Sequence, residues 1–209
     1  MKKVSLTFIT ILICTTVFAQ KTGAKSLYGI KGGLNISSFN ESGTGVPSMK
    51  NKFDYNVGGF VEIKTADNWY IQPEIVFSKQ GANFSFPVTV NGINYNTDNT
   101  FNLYYINIPV TFKYYASKQF CLEAGPQISF LTEANLVVRV VGRSNTQDAA
   151  KLFKSNDFGM NIGASCDITK NLFLNVRYTL GLSNIAITTD GENTVLKNNV
   201  IAACLGVKF

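Results

Sequence analysis

The residues able to do chemistry in this 209-residue chain are few and widely spread. Charged side chains are 15% of the total, against about 25% in an ordinary globular domain. Glu62 and Glu74 have the types of a general acid and general base. Glu123 and Asp157 add two further carboxylates, and Lys31, Lys64, Lys113, Arg177 and Lys208 supply cations to match them. The chain has no histidine. That removes Ser-His-Asp and Cys-His nucleophiles, histidine metal sites and histidine bases together. Of the four cysteines, Cys14 lies in the apolar N-terminal stretch; the remaining Cys121, Cys166 and Cys204 are odd in number and scattered, with neither metal-ligand spacing nor a disulfide framework. Gly32-Gly33 lacks the helix and lysine of a phosphate loop. These charges therefore read as enclosed ion pairs. No catalytic residue, metal or cofactor is expected, and the protein is expected not to be an enzyme.

The elements that carry the charges are period-two segments, the pattern of strands with two unlike faces. Apolar rows run over residues 28–36, 55–63, 69–77, 104–114, 120–130, 158–166, 172–182 and 201–209. Each spans about 9–11 residues, the length at which a tilted strand crosses a bilayer. The nine charges named above lie on the opposite, polar faces, among Gly, Asn, Ser and Thr. Short links at Thr65–Asn68, Ala116–Gln119 and Asp167–Asn171 alternate strictly with long ones at 39–54, 78–103, 131–156 and 183–198. All turns then fall at one end of an up-and-down sheet and all loops at the other. The expectation is an all-β fold: an eight-stranded antiparallel up-and-down transmembrane β-barrel with short periplasmic turns and long extracellular loops. Turn signals at Val90-Asn91-Gly92-Ile93 and Thr189-Asp190-Gly191-Glu192 predict that the third and fourth strands, and the seventh and eighth, run on as hairpins. Asn40–Gly45 reads as a loop tip.

Alternation alone does not say which face is outside, because a soluble ligand-binding barrel alternates too. The aromatics decide it. Tyr28, Trp69, Tyr114, Phe120 and the terminal Phe209 end the apolar rows on the turn side; Tyr55, Phe77, Tyr104, Phe130 and Phe158 end them on the loop side. Two rings at two heights match the girdles of a membrane barrel. The lumen of eight strands has room only for side chains, and enclosed charges need partners, so a salt-bridged plug is expected rather than an open pore. Pro73, Pro109 and Pro126 lie inside strands of a sheet without edges, which predicts bulges or broken pairing there.

Residues 1–19 read as a cleaved signal peptide: Lys2 and Lys3, an apolar stretch of 14 residues from Val4 to Val17, then Val17-Phe18-Ala19. That stretch is short of the roughly 20 residues of a spanning helix. Residues 20–209 then form one barrel domain in the cell outer membrane. Loss of Lys2 and Lys3 reduces a formal charge of only +6, and no basic run marks a nucleic-acid partner.

Several strings carry a family likeness: Tyr28-Gly29-Ile30-Lys31-Gly32-Gly33-Leu34-Asn35, Trp69-Tyr70-Ile71-Gln72-Pro73-Glu74, Tyr105-Ile106-Asn107-Ile108-Pro109, Leu122-Glu123-Ala124-Gly125-Pro126, Asn175-Val176-Arg177-Tyr178 and Gly206-Val207-Lys208-Phe209. Together they resemble the PorT-like outer-membrane β-barrel proteins of Gram-negative Bacteroidota, often labelled porin-family or OmpX-like, over nearly the whole exported chain. The resemblance implies an integral outer-membrane protein inserted by the barrel-assembly machinery, with Phe209 as the C-terminal insertion signal. It also implies that the family carries the strand prolines. The expected role is structural or surface interaction, with a link to protein secretion or envelope integrity left open. Outer-membrane lipid and lipopolysaccharide are expected partners, and a protein partner is open at the extracellular loops; loop residues Arg139, Arg143, Lys151 and Lys154 have the charge to meet lipopolysaccharide phosphates, but the preferred reading of them is a solvated loop. A small-solute channel and a secreted soluble barrel are the alternatives.

Overall fold

A computed structural model describes residues 26–42, 48–90, 92–140, 143–187 and 194–209. The expected signal peptide, residues 1–19, and the expected turn at Thr189–Glu192 lie outside the described residues.

The strands are β1 (Ser26–Ser42), β2 (Lys52–Lys64), β3 (Trp69–Val90), β4 (Ile93–Tyr115), β5 (Phe120–Val140), β6 (Arg143–Asp148), β7 (Asn156–Asp167), β8 (Leu172–Gly181) and β9 (Val195–Lys208). All pair antiparallel. Eight of them close a ring, β1-β2-β3-β4-β5-β7-β8-β9 and back to β1, and β6 is an extra strand on the upper half of β5. The closing seam pairs Gly29 with Lys208 and Ser42 with Val195.

The ring is inside out relative to a soluble protein. Leu34, Val57, Ile75, Leu122, Ile162, Val176 and Leu205 are exposed, Leu34 by 66%, whereas Lys31, Asn35, Glu62, Gln72, Glu74, Thr111, Asn161 and Arg177 are buried. The period-two pattern causes this directly, because neighbouring side chains on a strand point to opposite faces. With hydrocarbon outside, the apolar row is the solvated one.

Above the mid-height the inward rows change character. On β4 the inward side chains read Lys113, Thr111 and Asn107, then Tyr105, Leu103 and Phe101. The last three join Phe39, Ala82, Phe84, Ala134, Ala149, Phe153, Ile185, Ala186 and Leu196 in one apolar cluster. Where the shorter strands end, irregular segments complete the wall around this cluster. Residues 48–51 bridge to β3 through Lys50 and Asn83, and Met49 N–H donates to Glu41 Oε2 at 2.8 Å. A 3-10 turn at Ala150–Leu152 leads into Phe153, which bridges to Ala186. Ile185 N–H donates to Leu196 O at 2.9 Å. The outer mouth is thus filled by a small water-excluding core.

Several long loops of the sequence reading are therefore structure. β3 and β4 do run on as a hairpin, and Gly92 takes φ +79° at its turn. β8 does not run on among the described residues: it ends at Gly181, and Ile185 and Ala186 beyond it are buried, which corrects the expected extension of the seventh and eighth strands. Ile185 and Ala186 gain more by burial in the cap than as exposed strand. β1 continues through Asn40 to Ser42, pairing with β9 where a loop tip was expected.

The three prolines interrupt pairing without moving the register. The β2–β3 ladder lapses between Phe60/Glu74 and Ile63/Ile71, beside Pro73. The β3–β4 ladder lapses between Pro73/Val110 and Val76/Asn107, beside Pro109. The β4–β5 ladder lapses between Pro109/Gln127 and Phe112/Ala124, beside Pro126. A missing N–H costs a ladder bond, and the losses fall on one diagonal seam. The register shift in the β4–β5 ladder, between Tyr104 and Tyr105, carries no proline.

Candidate functional site: a charge-filled lumen under an apolar cap

The lumen is built in layers. At the turn end, Lys208 Nζ donates to Asp167 Oδ1 at 2.8 Å and to Tyr115 Oη at 2.8 Å. Tyr115 Oη donates to Glu62 at 3.1 Å, and Glu62 also receives Lys113 Nζ at 2.5 Å. Phe60 and Phe173 meet edge to face at 5.5 Å in this layer, with Lys208 Nζ over the Phe173 ring at 5.2 Å.

The middle layer centres on Arg177. Its Nη2 and Nη1 donate to the two oxygens of Glu74 at 2.7 and 3.0 Å, and its Nε donates to Glu123 at 2.7 Å. Lys31 Nζ closes on Glu74 Oε2 at 2.7 Å, and Gln72 Nε2 donates to Glu74 Oε1 at 2.7 Å. Gln72 also accepts from Lys113 at 2.9 Å, which joins the two layers. A planar guanidinium fits this fork of carboxylates in a way an ammonium cannot. The carboxylates at Glu74 and Glu123 each face cations, so their geometry neutralises charge and leaves no free acid/base pair.

Of the nine charges expected in the lumen, Lys31, Glu62, Glu74, Lys113, Glu123, Arg177 and Lys208 fall into this network. Lys64 is only half-buried and makes no ion pair among the described residues. Asp157 is buried but receives Ser183 Oγ at 2.6 Å and no cation. The sequence reading missed Asp167, taken as a turn residue, and the pair Lys52 and Asp54 at the loop end, with Lys79 at 3.8 Å from Asp54. Burial holds the Lys52 ammonium below its ordinary pKa although Asp54 pulls it back up. It also missed Phe60 and Phe173. Their inward parity was legible, and Gly29 and Gly206 give them room: a Cβ at Gly29 would lie 2.2 Å from the Phe60 ring.

The interface aromatics face outward. Tyr28, Tyr55, Trp69, Tyr114, Phe120, Phe158 and Phe209 are exposed, and Phe77, Tyr104 and Phe130 are half-buried. Trp69 packs on Tyr114 at 4.9 Å at the turn end, and Tyr55, Phe77 and Tyr104 form a row at the loop end with centroids 6.4 and 6.2 Å apart. Cys121, Cys166 and Cys204 are unpaired; the first and last are buried in the lumen and Cys166 is exposed. Arg139, Arg143, Lys151 and Lys154 are exposed on β5, β6 and the segment after it.

A cavity of about 30 Å³ lies between the Arg177 layer and the apolar cap, bordered by Lys31, Asn107, Gln127, Asn175 and Cys204 among others. It has room for about two water molecules. An ion moving along the axis would meet the Arg177 layer below it and the apolar cap above it.

Solved structures share this architecture. The attachment invasion locus protein Ail of Yersinia pestis aligns over 88% of this chain and 99% of its own, at 13% identity and a TM-score of 0.50. Neisserial surface protein A aligns over 87% and 97%, at 12% identity and a TM-score of 0.52. At such identities the likeness is one of fold. Among curated proteins none matches the chain. Residues 18–186 match the outer membrane protein beta-barrel domain family, and the chain belongs to that family.

Proposed function

We propose that this outer-membrane barrel is a closed, non-enzymatic scaffold that acts through its outward-facing strands and loops, in the manner of PorT-like and OmpX-like barrels. The observation that carries the reading is the filled lumen: ion pairs across the middle and an apolar cap across the mouth. A barrel that spends its interior on packing presents only its outer surface to other molecules. Its extracellular reach, in β3–β4 and in β5–β6, exceeds what spanning requires. A role in protein secretion or envelope integrity fits such a surface. Outer-leaflet lipopolysaccharide fits the exposed cations Arg139, Arg143, Lys151 and Lys154, and a surface protein fits the hairpins. The ion pairs across the lumen and the apolar cluster above them weigh against the channel reading.

The test is to shorten the surface and leave the barrel. Replacing residues 139–148 by a tight turn removes β6, which pairs with β5 alone among the described strands. The trimmed protein should insert normally and fail to rescue a deletion strain. Full rescue by the trimmed barrel would remove this hairpin from the function.

Insertion has its own test. The Phe209 ring is 69% exposed, and the residue is tied to the barrel by one bond, its N–H to Tyr28 O at 2.7 Å. We expect deletion of Phe209 to lower the amount reaching the outer membrane several-fold. The urea midpoint of the protein that does fold should hardly move. Equal loss of both would make Phe209 a structural residue and not a signal.

A further inference from the structure

We propose that the lumen cavity is a built hydration site that holds two water molecules at the proline seam. The cavity lies among buried polar side chains: Lys31, Asn35, Asn56, Asn107, Asn175 and Arg177. Two of its lining atoms, Asn107 Oδ1 and Asn175 Oδ1, accept no hydrogen bond from the protein. The orientation of Asn175 is fixed, because its Nδ2 donates to Glu123 Oε1 at 3.0 Å and to Ala164 O at 3.3 Å. Its oxygen is therefore an acceptor aimed away from the network. Leaving such groups dry is costly.

Val76 and Pro109 also border the cavity, where the β3–β4 ladder lapses. A proline in a ladder leaves the facing strand short of a donor. Both unmet side-chain needs at this site are thus for a donor. An anion supplies none, and the neighbouring cations are already taken by Glu74 and Glu123. A metal cation or ammonium ion would add positive charge beside Lys31 and Arg177. A small neutral donor satisfies all the requirements, and the volume limits it to water. The two waters bridge the Arg177 layer to the amides above it, and they let a closed barrel tolerate proline in its wall.

The probe is water itself, read by water-to-methyl cross-relaxation in NMR spectra of the methyl-labelled full-length barrel in lipid nanodiscs. Val76 and Val200 line the cavity and carry no exchanging proton. Their methyls should show cross-peaks to long-lived water. The peaks should survive Ser78→Ala with Thr179→Val, which removes the nearby hydroxyls as relays. They should vanish in Asn107→Leu, which removes an acceptor and fills the space. Ala202→Val, which fills the cavity without touching a polar group, should also abolish them and serves if Asn107→Leu does not fold. Absent peaks in the unmodified protein, loss in the hydroxyl-free variant, or persistence in a folded filling variant would each overturn the proposal.

Discussion

Arg177→Met should cost the barrel about 3–5 kcal/mol, the range for breaking a buried pair by removing one partner. The magnitude follows from what is left behind. Arg177 makes a two-pronged contact with Glu74 and a third bond to Glu123. Both carboxylates are buried, and only Glu74 keeps a second cation, Lys31 at 2.7 Å. Met fills similar volume, so packing changes little and the loss is electrostatic. Urea unfolding in lipid vesicles reads the cost as a lower midpoint with an unchanged slope. Adding Glu123→Gln to Arg177→Met should restore much of the stability, because the carboxylate left without a cation goes while Glu74 keeps Lys31. A single variant as stable as the parent would mean that water reaches this layer freely.

Gly33→Ala should prevent the ring from closing, while Gly32→Ala next to it should be tolerated. A Cβ at Gly33 would lie 2.0 Å from Ala203 O and 2.6 Å from Cys204 Cα. Those atoms belong to the β9 backbone and cannot rotate away. Gly33 pairs with Cys204 in the β1–β9 seam that closes the ring. A Cβ at Gly32 would meet nothing closer than Asn56 O at 3.6 Å. Heat-modifiable migration on gels distinguishes folded from unfolded barrel. Gly33→Ala should remain unfolded under conditions in which Gly32→Ala folds like the parent. Equal folding of the two would show that the wall at this seam can relax by more than an ångström.

The ring was legible because its two signals are local. Period-two alternation names the strands, and the strict alternation of short and long links names the topology; both survive in the eight paired strands. The lumen network was legible to the same extent, since inward parity follows from the outward row. Partner choice was not. Arg177 and Glu74 lie 103 residues apart and meet across the lumen rather than between neighbouring strands. Asp167 was hidden because the sequence reading placed it in the turn, whereas β7 runs one residue further and Asp167 continues its inward row to reach Lys208. The apolar cap was hidden for another reason. Phe39, Leu103 and Phe153 sit where extracellular loops were expected, and their common burial depends on irregular segments that carry no periodicity. The proline seam was foreseen as broken pairing, and its unshifted register shows that a closed wall absorbs a lost donor without sliding.

The measurement that tests the sealed lumen most directly is ionic conductance of the purified, refolded protein in a planar lipid bilayer. The filled middle layer and the capped mouth predict a silent membrane, with no stepwise current at any insertion density or holding voltage. Removing the cap with Phe39→Ser, Phe101→Ser and Phe153→Ser, three rings that pack on one another with centroids 5.2–6.3 Å apart, should still give no steps while the Arg177 layer stands. Reproducible, uniform current steps from the unmodified barrel would contradict the account.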